Sequence, residues 1–390
     1  MINKKTILII VPSFNSGGTI SSLINFVSLV DKKRFKIRVL AITNSGPNKG
    51  FVAEYCEIVG ESKNKNGTKA LGIKNKLRTK LLSVVKSIKK QLVRVNVDIS
   101  PILFKRYAKI LDTGEYDYIL AFQEGQATLF GSFFKHGTKI AWVRSEYTRF
   151  IKGINDKHND VYANYDKIVS VSKAALSSFL SVLPQYSDRA YVQYNFLNDG
   201  RILTLSNEKV DDLWDNNVFT IVTLGRIDPV KRVSEIPRIC REIQDKGLTF
   251  RWVIIGGIAV QDEYERMMEN VDKYHVHENV FIIGNRPNPY PYLKHSNLLV
   301  SLSKSETFNN TLTEAKILGV PVITTDYPCA YESVDNKKEG LVVSFDNVAS
   351  AITNMINDQS GVYSSIKEHL SVYKYDKEVL LQQLYTNLLN

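Results

Sequence analysis

At 390 residues and 44% hydrophobic content, the chain exceeds the length at which one core usually stops growing, so two domains of ordinary size are expected. No window approaches the roughly 20 apolar residues a membrane-spanning helix requires, and the widely spaced Cys56, Cys240 and Cys329 fit neither a disulfide framework nor a zinc site. The formal charge of +11 is uneven: residues 63–106 hold thirteen basic residues and one acid, Asp98, which leaves 38 basic and 39 acidic elsewhere.

The opening "MINKKTILIIVPSFNSGG" superficially resembles a leader, but its apolar run is short and stops at Pro12, so it reads as a first buried strand. Further strands are expected over residues 36–42, 116–122, 138–144, 167–171 and 191–195, alternating with helical patterns. Between the first of these strands and the second lies "NKLRTKLLSVVKSIKKQLVRV". It sets Leu77, Leu81, Val84, Ile88, Leu92 and Val95 on one helical stripe, with lysines and arginines elsewhere on the wheel. Such a helix suits an anionic bilayer surface, where each nearby basic residue contributes on the order of 1 kcal/mol. The alternative is a helix packed on its own sheet with its lysines in water. Nucleic acid is disfavoured, because no aromatic-rich or recognised nucleic-acid motif accompanies the charge.

After the polar stretch "NDGRILTLSNEKVDDLWDNN" a second strand series begins, over residues 219–224, 251–255, 280–283, 298–302, 322–325 and 341–343. The boundary is therefore expected near 198–216, with an α/β domain at 1–203, a second at 216–373, and the C-terminal stretch 374–390 returning to the first. Two doubly wound sheets of this kind bind ligands beyond the C-terminal ends of their strands, in a cleft between the domains. His275 and His277 of "HVH" lack a third ligand nearby and read as a solvated turn. The sparse cysteines fit a reducing cytoplasm.

Two corners of the second series carry chemistry. "SKSETFNNTLTEAKILGVPVITTD" is a strand end, a loop bearing Glu306, and a helix from about Asn310 that bears Glu314, with Asn309 at the N-cap position. A helix N-terminus favours phosphate, whereas carboxylates repel it. A ligand with phosphate in its middle and hydroxyls at both ends, such as a nucleotide sugar, satisfies both. Taken singly, either glutamate also reads as an ordinary first-turn acid complementing the dipole. "VFTIVTLGRIDPVKR" ends a strand at Gly225 and follows it with Arg226 and Lys231, a planar fork and a compact charge for phosphate oxygens.

"GRIDPVK" followed by "SETFNNTLTEAKILGVPVITTD" resembles the retaining nucleotide-sugar glycosyltransferases of the GT-B fold, in the large group called glycosyltransferase family 4. "NSGGTISSLINF", "YDKIVSVSKAALSSFL", "YNFL" and "FIIGN" look like its weaker signatures, so the resemblance covers nearly the whole chain. It implies two Rossmann-like domains facing a central cleft. Arg226 and Lys231 would bind the diphosphate of a donor, UDP-linked in the first instance, Glu314 would hold its ribose, and Glu306 would approach the transferred sugar. Amides around Phe308, Asn309, Asn310 and Thr311 would complete the cradle. Gly17 and Gly18 would face the cleft from the first domain, and Asn285 and Arg286 would lie near the base.

Where the family often has a histidine, after "TKIAWV", this chain has Arg144, followed by Ser145 and Glu146. Arginine cannot serve as a base near neutral pH, so the histidine's role is lost or altered; Arg144 pairs either with an anionic ligand or structurally with Glu146. Thr307 stands where the family has a small residue, which narrows the sugar pocket. No Asp-x-Asp pattern marks a strand end, so no metal and no resident cofactor are expected. The implied reaction transfers a sugar, with retention, to a lipid-linked or cell-envelope saccharide in bacterial surface polysaccharide synthesis, on the cytoplasmic face of the membrane. A non-catalytic subunit that binds sugar or steadies an active partner is the alternative; an epimerase or phosphorylase on the same architecture fits less well.

Overall fold

The computed structural model describes residues 4–15, 17–59, 100–152, 156–210, 214 and 217–390. The chain forms two compact units, one of Met1–Ser170, Ser178–Gln193 and Gln383–Asn390, the other of Val171–Ser177 and Tyr194–Gln382. Helix Asp199–Leu205, which the sequence puts in the boundary region, thus belongs to the second unit. The 77–95 helix of the basic segment lies outside the described residues.

Among the described residues the first unit holds β1 (Lys5–Ser13), β2 (Phe35–Thr43), β3 (Glu57–Ile58), β4 (Tyr118–Ala121), β5 (Thr138–Val143), β6 (Lys167–Ser170) and β7 (Ala190–Val192). They form one parallel sheet in the order β3-β2-β1-β4-β5-β6-β7. Residues 7–11 of β1 are fully buried, as its unbroken aliphatic run requires at the centre of a sheet covered on both faces. An aromatic cluster of Tyr147, Tyr162, Phe179 and Tyr186 fills the side under β5 and β6, with edge-on ring contacts near 5.0 Å. The last residues close on the same sheet: Lys167 donates to the Asn387 carbonyl at 2.7 Å, and the Tyr385 hydroxyl accepts from the Asp31 amide at 2.9 Å.

The second unit holds β8 (Phe219–Leu224), β9 (Phe250–Ile255), β10 (Val280–Gly284), β11 (Leu298–Ser301), β12 (Val322–Thr325) and β13 (Gly340–Val343), again parallel, in the order β10-β9-β8-β11-β12-β13. Its strands alternate between two cores. Ile221, Trp252, Ile254 and Val300 point into one, Val222, Val253, Ile255 and Leu299 into the other. Period two on a doubly covered sheet explains why these strands read as apolar throughout. Trp252 is fully buried and meets its one polar need by donating to Thr223 Oγ1 at 3.0 Å; that hydroxyl donates on to the Val300 carbonyl at 2.8 Å. Replacing Trp252 by alanine would cost about 3–5 kcal/mol in cavity and lost burial.

His275 ends helix Gln261–Tyr274 in a left-handed conformation, and His277 bonds to Asp272 at 2.7 Å on an exposed turn. Cys56, Cys240 and Cys329 are all free thiols.

Candidate active site

In the second sheet the strand order reverses between β8 and β11, and the loops leaving these two strands are the corners that carry the motifs. After β8 the chain turns at Gly225, whose φ of 156° disfavours a side chain. After β9, Gly256 meets it so closely that an added Cβ would lie 1.8 Å from the Gly225 carbonyl oxygen. The sequence reading passed over Gly256, although a Gly-Gly pair directly after a buried strand is the signal of such a close approach. Asp228 shapes the next turn, accepting from the amides of Val230 and Lys231 at 3.0 and 3.1 Å.

That turn aims Lys231 across to the loop after β11, where its Nζ lies 2.5 Å from Glu306 Oε1. Both side chains are largely shielded, at 23% and 17% exposure, so solvent screens this pair less than a surface one. The Lys304 amide donates to the Val230 carbonyl at 2.8 Å and stitches the two loops together. Ser303 donates to Glu306 Oε1 at 2.8 Å, and the Cys329 thiol donates to the Glu306 carbonyl at 3.1 Å. Burial, with Glu306 and Glu332 nearby, pushes that thiol up to about 12, which keeps its proton in place for the bond.

Helix Asn310–Ile317 begins beside this pair with Asn309 at its N-cap. The Asn309 side chain, however, makes no capping bond; it is buried and donates to Ser301 Oγ at 3.1 Å and Tyr327 at 3.4 Å. Thr311 donates to Asn309 Oδ1 at 2.7 Å, Asn310 accepts from Asn195 at 3.2 Å, and the Phe308 ring lies 6.0 Å from Tyr194.

Glu314, one turn further, accepts from the Tyr290 hydroxyl at 3.3 Å. Part of it meets solvent, but protein atoms crowd it. Lost hydration pushes its carboxyl up to about 7, against the opposing pull of Tyr290 and Arg201. Tyr290 and Arg201 come from loop and helix positions that no motif marks, and the sequence reading missed both.

Arg226 extends 65% exposed from the first corner, 3.4 Å from Asp228. Asn285 and Arg286 follow β10. Asn285 is exposed near Gly257, and Arg286 donates to the Tyr292 hydroxyl at 3.1 Å. A shallow pocket of about 480 Å³ elsewhere in this unit, lined by Tyr331, Glu332, Asp335 and Glu339 among others, contains none of the expected donor residues. Among the described residues no three His, Cys, Asp or Glu side chains gather as a metal cluster.

The remaining expected residues belong to the first unit. Gly17 and Gly18 start helix Gly18–Leu29 directly after β1. Arg144 follows β5, and two of its bonds run to the segment after β4: its amide donates to Glu124 at 2.7 Å and its Nε to the Phe122 carbonyl at 2.8 Å. Its guanidinium stacks 4.0 Å over the Phe122 ring. Desolvation lowers its pKa to about 9 despite Glu124, which still leaves it charged at neutral pH. Glu146 accepts from Thr148 at 3.3 Å and lies 3.8 Å from Arg149.

Residues 206–373 match the family model described as glycosyl transferases group 1. The capsular polysaccharide biosynthesis glycosyltransferase CapM of Staphylococcus aureus is 30% identical over 164 residues, 40% of this chain and 42% of that protein. The N-acetylgalactosamine-N,N'-diacetylbacillosaminyl-diphospho-undecaprenol 4-alpha-N-acetylgalactosaminyltransferase of Campylobacter jejuni is 23% identical over 188 residues, 48% of this chain and 49% of that protein. These matches span about half the length of the curated relatives or less. Among solved structures, HepE of Anabaena in complex with UDP and glucose superposes with a TM-score of 0.68 at 16% identity, over 98% of this chain and 99% of that one. TarM superposes at 0.69 and 14%, over 99% of both chains. The chain has the GT-B fold, and its residues 206–373 are similar to the group 1 glycosyl transferases.

Proposed function

We propose that this protein transfers a sugar from a UDP-sugar to a hydroxyl of a lipid-linked or cell-envelope saccharide, with retention at the anomeric carbon. The observation that carries the reading is the meeting of Lys231 and Glu306, 2.5 Å apart, at the switch point of the second sheet, beside the start of helix Asn310–Ile317. Lys231 and Arg226 take the diphosphate, the first-turn amides of that helix share its charge, Glu314 takes the ribose diol, and Glu306 takes hydroxyls of the sugar.

In the reaction, the bond from the anomeric carbon to the β-phosphate oxygen breaks, and a bond from the acceptor oxygen forms on the same face. The acceptor's proton passes to the departing phosphate, so the loss of a histidine at position 144 removes no required base. Lys231, Arg226 and the helix amides stabilise the charge that develops on the leaving group, the work a divalent ion performs elsewhere, so turnover persists in a chelator.

The acceptor's setting rests on charge. Along helix Ser100–Leu111, Lys105, Arg106 and Lys109 share the exposed face with Ile102 at 71% and Ile110 at 40% exposure, and no acid interrupts it. In sequence it follows the basic run of residues 63–94, and such a face suits an anionic bilayer at the cytoplasmic surface. CapM and the undecaprenol-linked enzyme, by their names, serve saccharide assembly of this kind.

The test is a donor panel with saccharide acceptors, read by NMR of the new glycosidic bond. Retained configuration with a UDP-sugar supports the proposal. Inverted configuration, or hydrolysis with no acceptor product, contradicts it.

A further inference from the structure

We infer that Ser303, backed by Ser301 and Asn309, is a positioning residue that fixes the Glu306 carboxylate for sugar contact; the inference rests on the donor-site reading above. Ser303 is 1% exposed and Ser301 is 8% exposed, both directly at the end of β11. Ser303 Oγ lies 2.8 Å from Glu306 Oε1 and 3.3 Å from Ser301 Oγ, and Asn309 Nδ2 lies 3.1 Å from Ser301 Oγ.

Proton counting gives this chain a direction. A serine hydroxyl has one proton to donate, and a carboxylate only accepts. Ser303 therefore donates to Glu306, Ser301 must donate to Ser303, and the Asn309 amide donates to Ser301. Every proton points toward Glu306. Asn309 is held in turn: its Oδ1 accepts from Thr311 at 2.7 Å, and its amide also reaches Tyr327 at 3.4 Å. Thr325 donates to the Ser303 carbonyl at 2.5 Å and pins the backbone that carries the first link. Asn309 forgoes the usual N-cap bond because the oxygen that would accept it is turned to the Thr311 hydroxyl, which leaves its amide protons facing the ladder.

The ladder answers a problem built into the site. Glu306 Oε1 accepts from Lys231 and Ser303 together, and a bound diphosphate draws the lysine toward its own oxygens. With Lys231 engaged, Ser303 is the side chain that keeps the carboxylate in its orientation. A charge-assisted bond of this kind, buried at its origin, is preorganised before the substrate arrives.

The test measures Ser303→Ala, Ser303→Thr and Ser301→Ala in the full-length chain. Ser303→Ala should lower kcat with the UDP-sugar about ten-fold or more while the Kd for UDP, which meets Lys231 and Glu314, stays within about two-fold. Ser303→Thr should recover most of the loss, and Ser301→Ala should show a smaller loss of the same kind. In a Glu306→Gln background, Ser303→Ala should add almost nothing, because both changes remove one unit. A loss that multiplies with Glu306→Gln, or that falls equally on UDP affinity and melting temperature, overturns the inference. Should the wild type bind and turn over no nucleotide sugar, the functional reading itself fails, and a crystal structure of Ser303→Ala decides the ladder alone: a rotated Glu306 side chain sustains it, an unmoved one overturns it.

Discussion

The two sheets share one winding, yet the corners at their strand ends are built differently. In the second unit the loops after β8 and β11 bring opposite charges together, Lys231 on Glu306, with hydroxyls and an amide behind the carboxylate. In the first unit the strand ends at β4 and β5 use their charge inwardly. Glu124 is 6% exposed and accepts from the Arg144 amide and from Ser145, while the Arg144 guanidinium covers the Phe122 ring. The residues at each corner decide whether charge stands paired between two loops or is absorbed by the neighbouring backbone and rings.

This contrast is broken most directly by changing one corner and leaving the other. Glu306→Ala should reduce turnover by about 10²-fold or more, the scale of losing one transition-state partner, when assayed well below the variant's own melting temperature. Rates within a few-fold of wild type would remove Glu306 from the site.

Gly256→Ala comes next. Its Cβ would fall 1.8 Å from the Gly225 carbonyl, so the two loops must part, at a cost of about 3 kcal/mol in denaturant unfolding together with weaker donor binding. Wild-type stability would show that the strand ends can separate freely.

Glu314 offers a pH test. Its carboxyl is raised from an ordinary 4.5 to about 7 by lost hydration, so the native state holds a proton there that the unfolded chain releases. The stability this contributes is complete below pH 4.5 and is lost as pH rises through about 7. Donor affinity should move the opposite way, rising between pH 6 and 8 as the carboxylate forms to accept the ribose hydroxyls. Calorimetry of UDP binding checks this, and Glu314→Gln should flatten the profile; an unchanged slope in that variant assigns it to another group.

The smallest effect is expected in the first unit. Arg144→Ala uncovers Phe122 and removes the cation over it, about 1 kcal/mol of stability by thermal unfolding, and a loss well above that would mean Arg144 anchors more than the rings it covers.

Much of this was legible in the sequence. Strand 219–224 and strand 322–325 match β8 and β12 residue for residue, because apolar β-branched runs bounded by Gly or Pro leave little choice. β3 was missed: Glu57–Ile58 is two residues long and exists only through its pairing with β2. Motif spacing singled out Lys231 and Glu306, which follow their strands by short loops, and Glu314 in the helix after the second loop. It did not reach Ser303, Cys329, Tyr290 or Arg201, whose roles arise from contacts between segments up to 113 positions apart in the Arg201–Glu314 case. Arg144 stood out as a departure, but its bonds to Phe122 and Glu124 depend on the pairing of β4 with β5, which no local pattern encodes.

Isothermal titration of UDP into the wild type and Lys231→Ala decides whether the β8 and β11 corners of the second unit hold a nucleoside diphosphate. The wild type should bind UDP, and the variant, at a temperature where both are folded, should bind it at least ten-fold more weakly. Equal UDP affinity in the two proteins would remove the diphosphate from these corners.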